Sequence, residues 1–276
     1  MEQWFHCPSK AGLAHAEPLT FLGLRYALVT VPMLGVAMAM RAPWPTSWRQ
    51  VGHIAMVGVL LQAVYFGAVW LAMGKGTGAG VAALIVCLQP VVTAAVVGPL
   101  LGERVSKRQW LGLVLGLAGV ALVVAQKLTL GLGTADGMAW AFVGLFGITC
   151  GTLYQKKFCA HMDSRTGATI QFIVATALVT PLALIFEDGV IHWTPTLIAS
   201  LAYVAMFLSL ISMILLTVMI RRGETSRMTS LFFLIPPIAA LLAYLMLDEP
   251  VGLTTLAGMA VAVVGVALVM APKTQK

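Results

Sequence analysis

The sequence predicts an all-α polytopic membrane protein made of two inverted five-helix repeats, with the first helix cut short. Composition, a series of apolar runs and an internal repeat carry that prediction. Of the 276 residues, 60% are hydrophobic and only 10% charged, and the mean hydropathy is +0.95. Soluble domains lie nearer about 45–50% apolar and about 25% charged. A fold of this length cannot cover a water-facing surface with so few charges, so its solvent is the bilayer. About 20 apolar helical residues cross that layer. Runs such as Leu111–Ala125 are continuously apolar, whereas barrel strands alternate, so helices are implied.

About nine full spans are expected, near 19–40, 52–73, 79–101, 108–126, 137–155, 166–186, 197–220, 226–247 and 252–271. The first carries Arg25, and the second carries Gln62 and Tyr65. The third contains Cys87 and Pro90, and the fourth contains Gly112-x-x-x-Gly116. Gln171 lies in the sixth, Ser209 and Ser212 in the seventh, and Pro236 in the eighth. Ahead of them, Met1 to Ala16 is too short and too polar to cross alone, and it lacks the basic segment and apolar core of a cleavable signal peptide. The cysteines Cys7, Cys87, Cys150 and Cys159 form no C-x-x-C pair and read as small apolar fillers rather than a disulfide or metal site.

Orientation follows from Lys and Arg. Thirteen of the 17 fall in one set of loops: Arg41, Arg49, Arg104, Lys107, Arg108, Lys156, Lys157, Arg165, Arg221, Arg222, Arg227, Lys273 and Lys276. Lys10, Lys75 and Lys127 fall in the other. The positive-inside rule then puts the C-terminus in the cytoplasm. The same placement explains the net charge of +7 without nucleic acid. The acidic loops at Glu187–Asp188 and Asp248–Glu249 fall outside.

Shifted by 146 positions, the chain aligns with itself. Pro90 meets Pro236, Glu103 meets Glu249, Gly112 meets Gly258, and Gly119-Val-Ala-Leu-Val123 meets an identical run at Gly265–Val269. Paired Pro, Glu and Gly at one offset are not readily produced by hydrophobicity alone. Two repeats are expected, 1–127 and 128–276. Five spans per unit is an odd number, so the second enters the membrane upside down, as in many secondary transporters. At the same offset Lys10 meets Lys156, so the N-terminal stub corresponds to the end of the span at 137–155 and the first unit reads as truncated.

An apolar helix with a Pro, a Glu about thirteen residues later and a Gly-spaced helix resembles the EamA family of the drug/metabolite transporter superfamily. The matching residues are Leu88-Gln89-Pro90, Leu101-Gly102-Glu103-Arg104, Gly112 and Gly119, and in the second half Ile235-Pro236-Pro237, Leu247-Asp248-Glu249-Pro250, Gly258 and Gly265. Ala16-Glu17-Pro18 with Leu24-Arg25-Tyr26 resembles the start of the family's second helix. The resemblance covers nearly the whole chain. It implies ten helices in two inverted units, residence in the bacterial inner membrane, and export of amino acids or related metabolites. The missing half of helix one is a departure from the family pattern.

Polar groups inside spans mark candidate pathways. Gln62 and Tyr65, three apart, share one face of an α-helix, with Ser209 and Ser212 at matching depth in the second half. They either line a substrate cavity or hydrogen-bond between helices and hold the bundle together. Arg25 either meets a substrate carboxylate or snorkels to the headgroups. Pro90 and Pro236 kink their helices, statically or as part of a rocking motion. Glu103 and Glu249 sit at helix starts, where a carboxylate suits the dipole, or else couple protons. Gly112 and Gly116 form a small-residue packing face, within the chain or in a homodimer. Gly74-Lys75-Gly76-Thr77-Gly78 lacks phosphate-loop spacing and reads as a turn.

No cofactor or metal site is expected, and no Ser–His, Asp–Asp or H-E-x-x-H constellation supports an intramembrane enzyme. The expected function is therefore a secondary carrier working by alternating access, with the lipid bilayer and a small solute as partners. The alternative is a truncated chain that does not transport.

Overall fold

In a computed structural model of the chain, the described residues are 15–86, 88–89, 92–93, 96, 106–129, 133–160, 162–203, 205 and 253–270. Among them lie eight helices: α1 (Pro18–Ala39), α2 (Trp48–Gly74), α3 (Ala79–Val86), α4 (Lys107–Thr129), α5 (Ala135–Phe158), α6 (Ser164–Phe186), α7 (Pro195–Ala202) and α8 (Leu253–Met270). Helices α1, α2, α5 and α6 are long and apolar enough to cross a membrane. The expected span at 226–247 lies outside the described residues, as do the later parts of 79–101 and 197–220.

Local chemistry sets the helix starts. Pro18 opens α1, where its missing N–H costs nothing. Ser47, Thr134, Asp163 and Thr194 cap α2, α5, α6 and α7, each side-chain oxygen accepting a backbone N–H of the first turn. Between α2 and α3 the Gly-rich segment is a turn, with Gly76 at φ +89° and the Lys75 carbonyl accepting from Thr134 Oγ1 at 2.7 Å.

The repeat is visible in the packing. Helix α1 moved on by 146 positions falls on α6, and α4 falls on α8; in each case the two equivalents pack against each other. Thr30 and Thr176, themselves 146 apart, meet Oγ1 to Oγ1 at 3.4 Å. Two equivalent residues touch only near the pseudo-symmetry axis that relates their units. On α8, a Cβ added at Gly265 would sit 2.6 Å from the Gly112 carbonyl and against the Gly116 nitrogen. The Gly112/Gly116 face is thus filled from within the chain, the first of the two readings its small residues allow.

Interhelical packing has to hold the bundle, because lipid is as apolar as the side chains. Phe21, Leu22, Tyr26 and Val29 of α1 form the main core with Trp70 of α2, Phe172 and Val179 of α6, and Leu197 of α7. Phe21 stacks on Trp70 at 4.7 Å between ring centroids. Outward-facing Val31, Leu184 and Ile185 are exposed, as expected of a lipid-facing surface. Helix α5 also lies close on α2. A Cβ at Gly147 would lie 3.0 Å from the Tyr65 nitrogen, and one at Gly151 would strike the Leu61 side chain.

Candidate functional site

A buried charged group lies where α1, α2 and α6 cross. Arg25 is only 4% exposed. Its guanidinium carbon lies 4.8 Å from the Phe66 ring centroid and 5.7 Å from that of Tyr26. Its charge is therefore not carried out to the headgroups; the snorkelling expectation gives way to stacking on aromatic faces inside the bundle. Phe172 of α6 lies 5.8 Å from Tyr26 and closes this side. Tyr65 lies within electrostatic reach of Arg25 and packs on Phe66 at 4.5 Å.

The backbone at this point is unusual. Residues Val59–Phe66 of α2 form a π-helix, in which N–H groups bond five residues back instead of four. At its end the Gly67 N–H returns to the Ala63 carbonyl. The Gln62 carbonyl lies within this segment. Tyr26 Oη donates a 2.6 Å hydrogen bond to that carbonyl. The Gln62 side-chain oxygen is buried and has no hydrogen-bond partner among the described residues. The wider turn also rotates Gln62 and Tyr65 apart, so the shared face expected from α-helical spacing does not hold.

Close approach of α6 positions the cluster. A Cβ at Gly58 would lie 2.9 Å from the Gln171 Cα, so only glycine lets α2 come this near. Gln171 is buried there, 146 positions from Arg25. The remaining expected positions Ser209, Ser212, Pro90, Pro236, Glu103 and Glu249 lie outside the described residues.

The two ends of the α1–α6 pair differ. At the acidic end Glu187 accepts three hydrogen bonds of 2.7 Å, from Leu19 N, Thr20 N and Thr20 Oγ1. These include first-turn N–H groups of α1 that have no intrahelical partner, at the positive end of its dipole. Beside them Gly189 N donates to Glu17 Oε2 at 3.3 Å, and His192 N donates to His15 O at 3.0 Å. At the basic end, the α1–α2 loop is tied to α6 by Thr166 Oγ1 donating to Pro43 O at 3.0 Å. A cavity of about 520 Å³ opens beside it. In its wall Asp163 takes 3.0 and 2.8 Å hydrogen bonds from Arg165, which hold its carboxyl below the usual carboxylate range. Nearby, His53 Nδ1 and Tyr154 Oη share a 2.8 Å hydrogen bond.

Sequence reasoning missed the Glu187 clamp, the π turn and Gly58. The acidic residue after α6 is visible in the sequence, but its partners are 167 and 168 positions away. Among the described residues no group of three His, Cys, Asp or Glu side chains is placed to hold a metal ion.

The profile of the EamA-like transporter family matches residues 8–125 and 135–271, two segments that end 146 residues apart. An uncharacterised transporter of Bacillus subtilis, YvbV, is 28% identical over 95% of this chain and 85% of its own length. A probable amino-acid metabolite efflux pump of Salmonella typhimurium is 27% identical over 95% of this chain and 86% of its own. One of the same description in Escherichia coli is 26% identical over 87% and 81%. A solved crystal structure superposes with a TM-score of 0.68, covering 95% of this chain and 91% of that one at 18% identity, a likeness of fold.

Proposed function

The chain belongs to the EamA-like transporter family, and we propose that it is a secondary carrier exporting small metabolites such as amino acids by alternating access. The observation that supports this most is the Arg25–Gln62–Tyr65 cluster. The buried Arg25 guanidinium stacks on aromatic rings where the two repeats cross, within electrostatic reach of Tyr65, and the Gln62 side-chain oxygen is buried without a hydrogen-bond partner among the described residues. Arg25 offers donors to a carboxylate, and the Gln62 oxygen offers an acceptor to an ammonium or hydroxyl group. Ser209 and Ser212 would complete the cavity from the second unit, with kinks at Pro90 and Pro236 easing the rocking. Glu103 and Glu249 would set helix starts. The names of the relatives in Salmonella and Escherichia support an amino-acid-like cargo. The positive-inside count supports an inner-membrane protein with its C-terminus in the cytoplasm. The boundary between repeats would fall near 127.

Untargeted metabolite analysis of the medium around cells expressing the chain, against an empty vector, tests this. The expected result is one or more metabolites that accumulate outside and cease to do so in Gln62→Ala/Tyr65→Ala. No accumulation, with the protein present in the membrane, contradicts export.

A further inference from the structure

The cavity at the basic end is separate from the Arg25 cluster, and the transport reading leaves it unused. Its wall includes Trp44, Gln50, Ile54, Lys157, Phe158 and Asp163. We propose that it binds the headgroup of an anionic phospholipid from the leaflet on the basic face. Charge is the first argument. Lys157 lines the cavity, and exposed Arg41, Arg49 and Lys156 sit on the loop and helix ends that frame it. The acid in the lining, Asp163, is already matched by Arg165 at 2.8 Å. Lys157 thus lines the cavity with its one acidic neighbour in the lining already matched, and basic pockets between membrane helices hold anionic headgroups.

Depth is the second argument. Trp44 stands in the wall at 43% exposure, and Trp48, at the start of α2, is 91% exposed. Tryptophans showing this much ring surface at the end of a span sit at headgroup level. Shape is the third. Lys157 lies over the Phe158 ring at 5.5 Å, beside apolar Ile54 and Met162, so one cavity offers a cation for phosphate and an apolar wall for the glycerol and upper acyl chain. The opposite end of the bundle presents Glu17, Asp136, Glu187 and Asp188 with Lys75, a field that repels the same headgroup. The site therefore selects a leaflet as well as a lipid.

Native mass spectrometry of the purified full chain tests this, with phosphatidylglycerol and phosphatidylcholine of the same acyl chains at equal concentration. Phosphatidylglycerol adducts are expected to dominate. Lys157→Gln should cut that preference about fivefold, the worth of roughly one Lys at an anionic membrane surface. Lys157→Arg should keep it, and so should Lys75→Gln at the acidic end. In a second measurement, phosphatidylglycerol should raise the Tm of the native chain and of Lys157→Arg but not of Lys157→Gln. Equal adducts of the two lipids, or an unchanged preference in Lys157→Gln, overturns the proposal. So does full displacement by soluble glycerol phosphate at matched concentration, which would make this an anion site rather than a lipid site. These readouts are of binding, so they stand whether or not export is found.

Discussion

The acidic and basic ends of the α1–α6 pair are built from the same two helices, related by the same offset, yet they are held differently. At the acidic end one carboxylate takes three short hydrogen bonds from the opposite repeat, and two further backbone contacts stand beside it. At the basic end a threonine hydroxyl reaches one loop carbonyl, and a cavity stands open. Symmetry in sequence therefore does not give symmetry in closure. A carrier with inverted repeats needs such a difference, since each conformer is closed at one end and the other conformer exchanges the two.

Removing the stronger end should have the largest effect. Glu187→Ala strips α1 of the acceptor for Leu19 N and Thr20 N, and hydrogen bonds to a charged group are worth about 1.5–3 kcal/mol each. We expect a loss of about 3 kcal/mol in unfolding free energy, with faster cysteine labelling at position 189; an unchanged labelling rate would mean that the clamp does not hold this end. Next comes the crossing between the ends. Gly58→Ala forces α2 off Gln171, and overpacking of this kind costs about 1–3 kcal/mol. A lowered Tm checks it.

At the basic end the effects are smaller. Asp163→Ala removes the α6 cap, for about 1 kcal/mol. Arg165 depresses the folded-state pKa of this carboxyl, so its stabilisation is complete above the free Asp value of about 3.9 and fades as pH falls through the lower folded value. The native chain should accordingly lose more stability on acidification than Asp163→Ala, which a pH series of unfolding midpoints reads directly. Thr166→Val should cost least, about 0.5–1 kcal/mol for one neutral hydrogen bond. A cost equal to that of Glu187→Ala would erase the difference between the ends.

The helical membrane fold was legible in the sequence because composition and apolar run length determine it. The expected spans at 19–40, 137–155 and 166–186 fall within three residues of α1, α5 and α6 at every boundary. The offset of 146 was legible too, since identical residues recur at it. Arg25 stood out as a charge within a span, but its surroundings did not, because Phe66 reaches it from another helix. Gln62 and Tyr65 were read with α-helical spacing, and no proline or other local signal announces the π turn. Gly58, Gly147 and Gly151 carry close helix contacts, yet in a chain with 27 glycines the sequence does not single them out. The Glu187 clamp joins residues far apart in the chain, which periodicity cannot detect.

The measurement that tests alternating access most directly is export with the acidic end locked. In a chain whose native cysteines are replaced, Leu19→Cys and Glu187→Cys would be joined by a short bifunctional thiol reagent with a reducible link. The metabolites that the unlinked variant releases should stop appearing in the medium when the link is made, and return on reduction. Undiminished export from a fully linked population would contradict the account, because the acidic end would then not have to open.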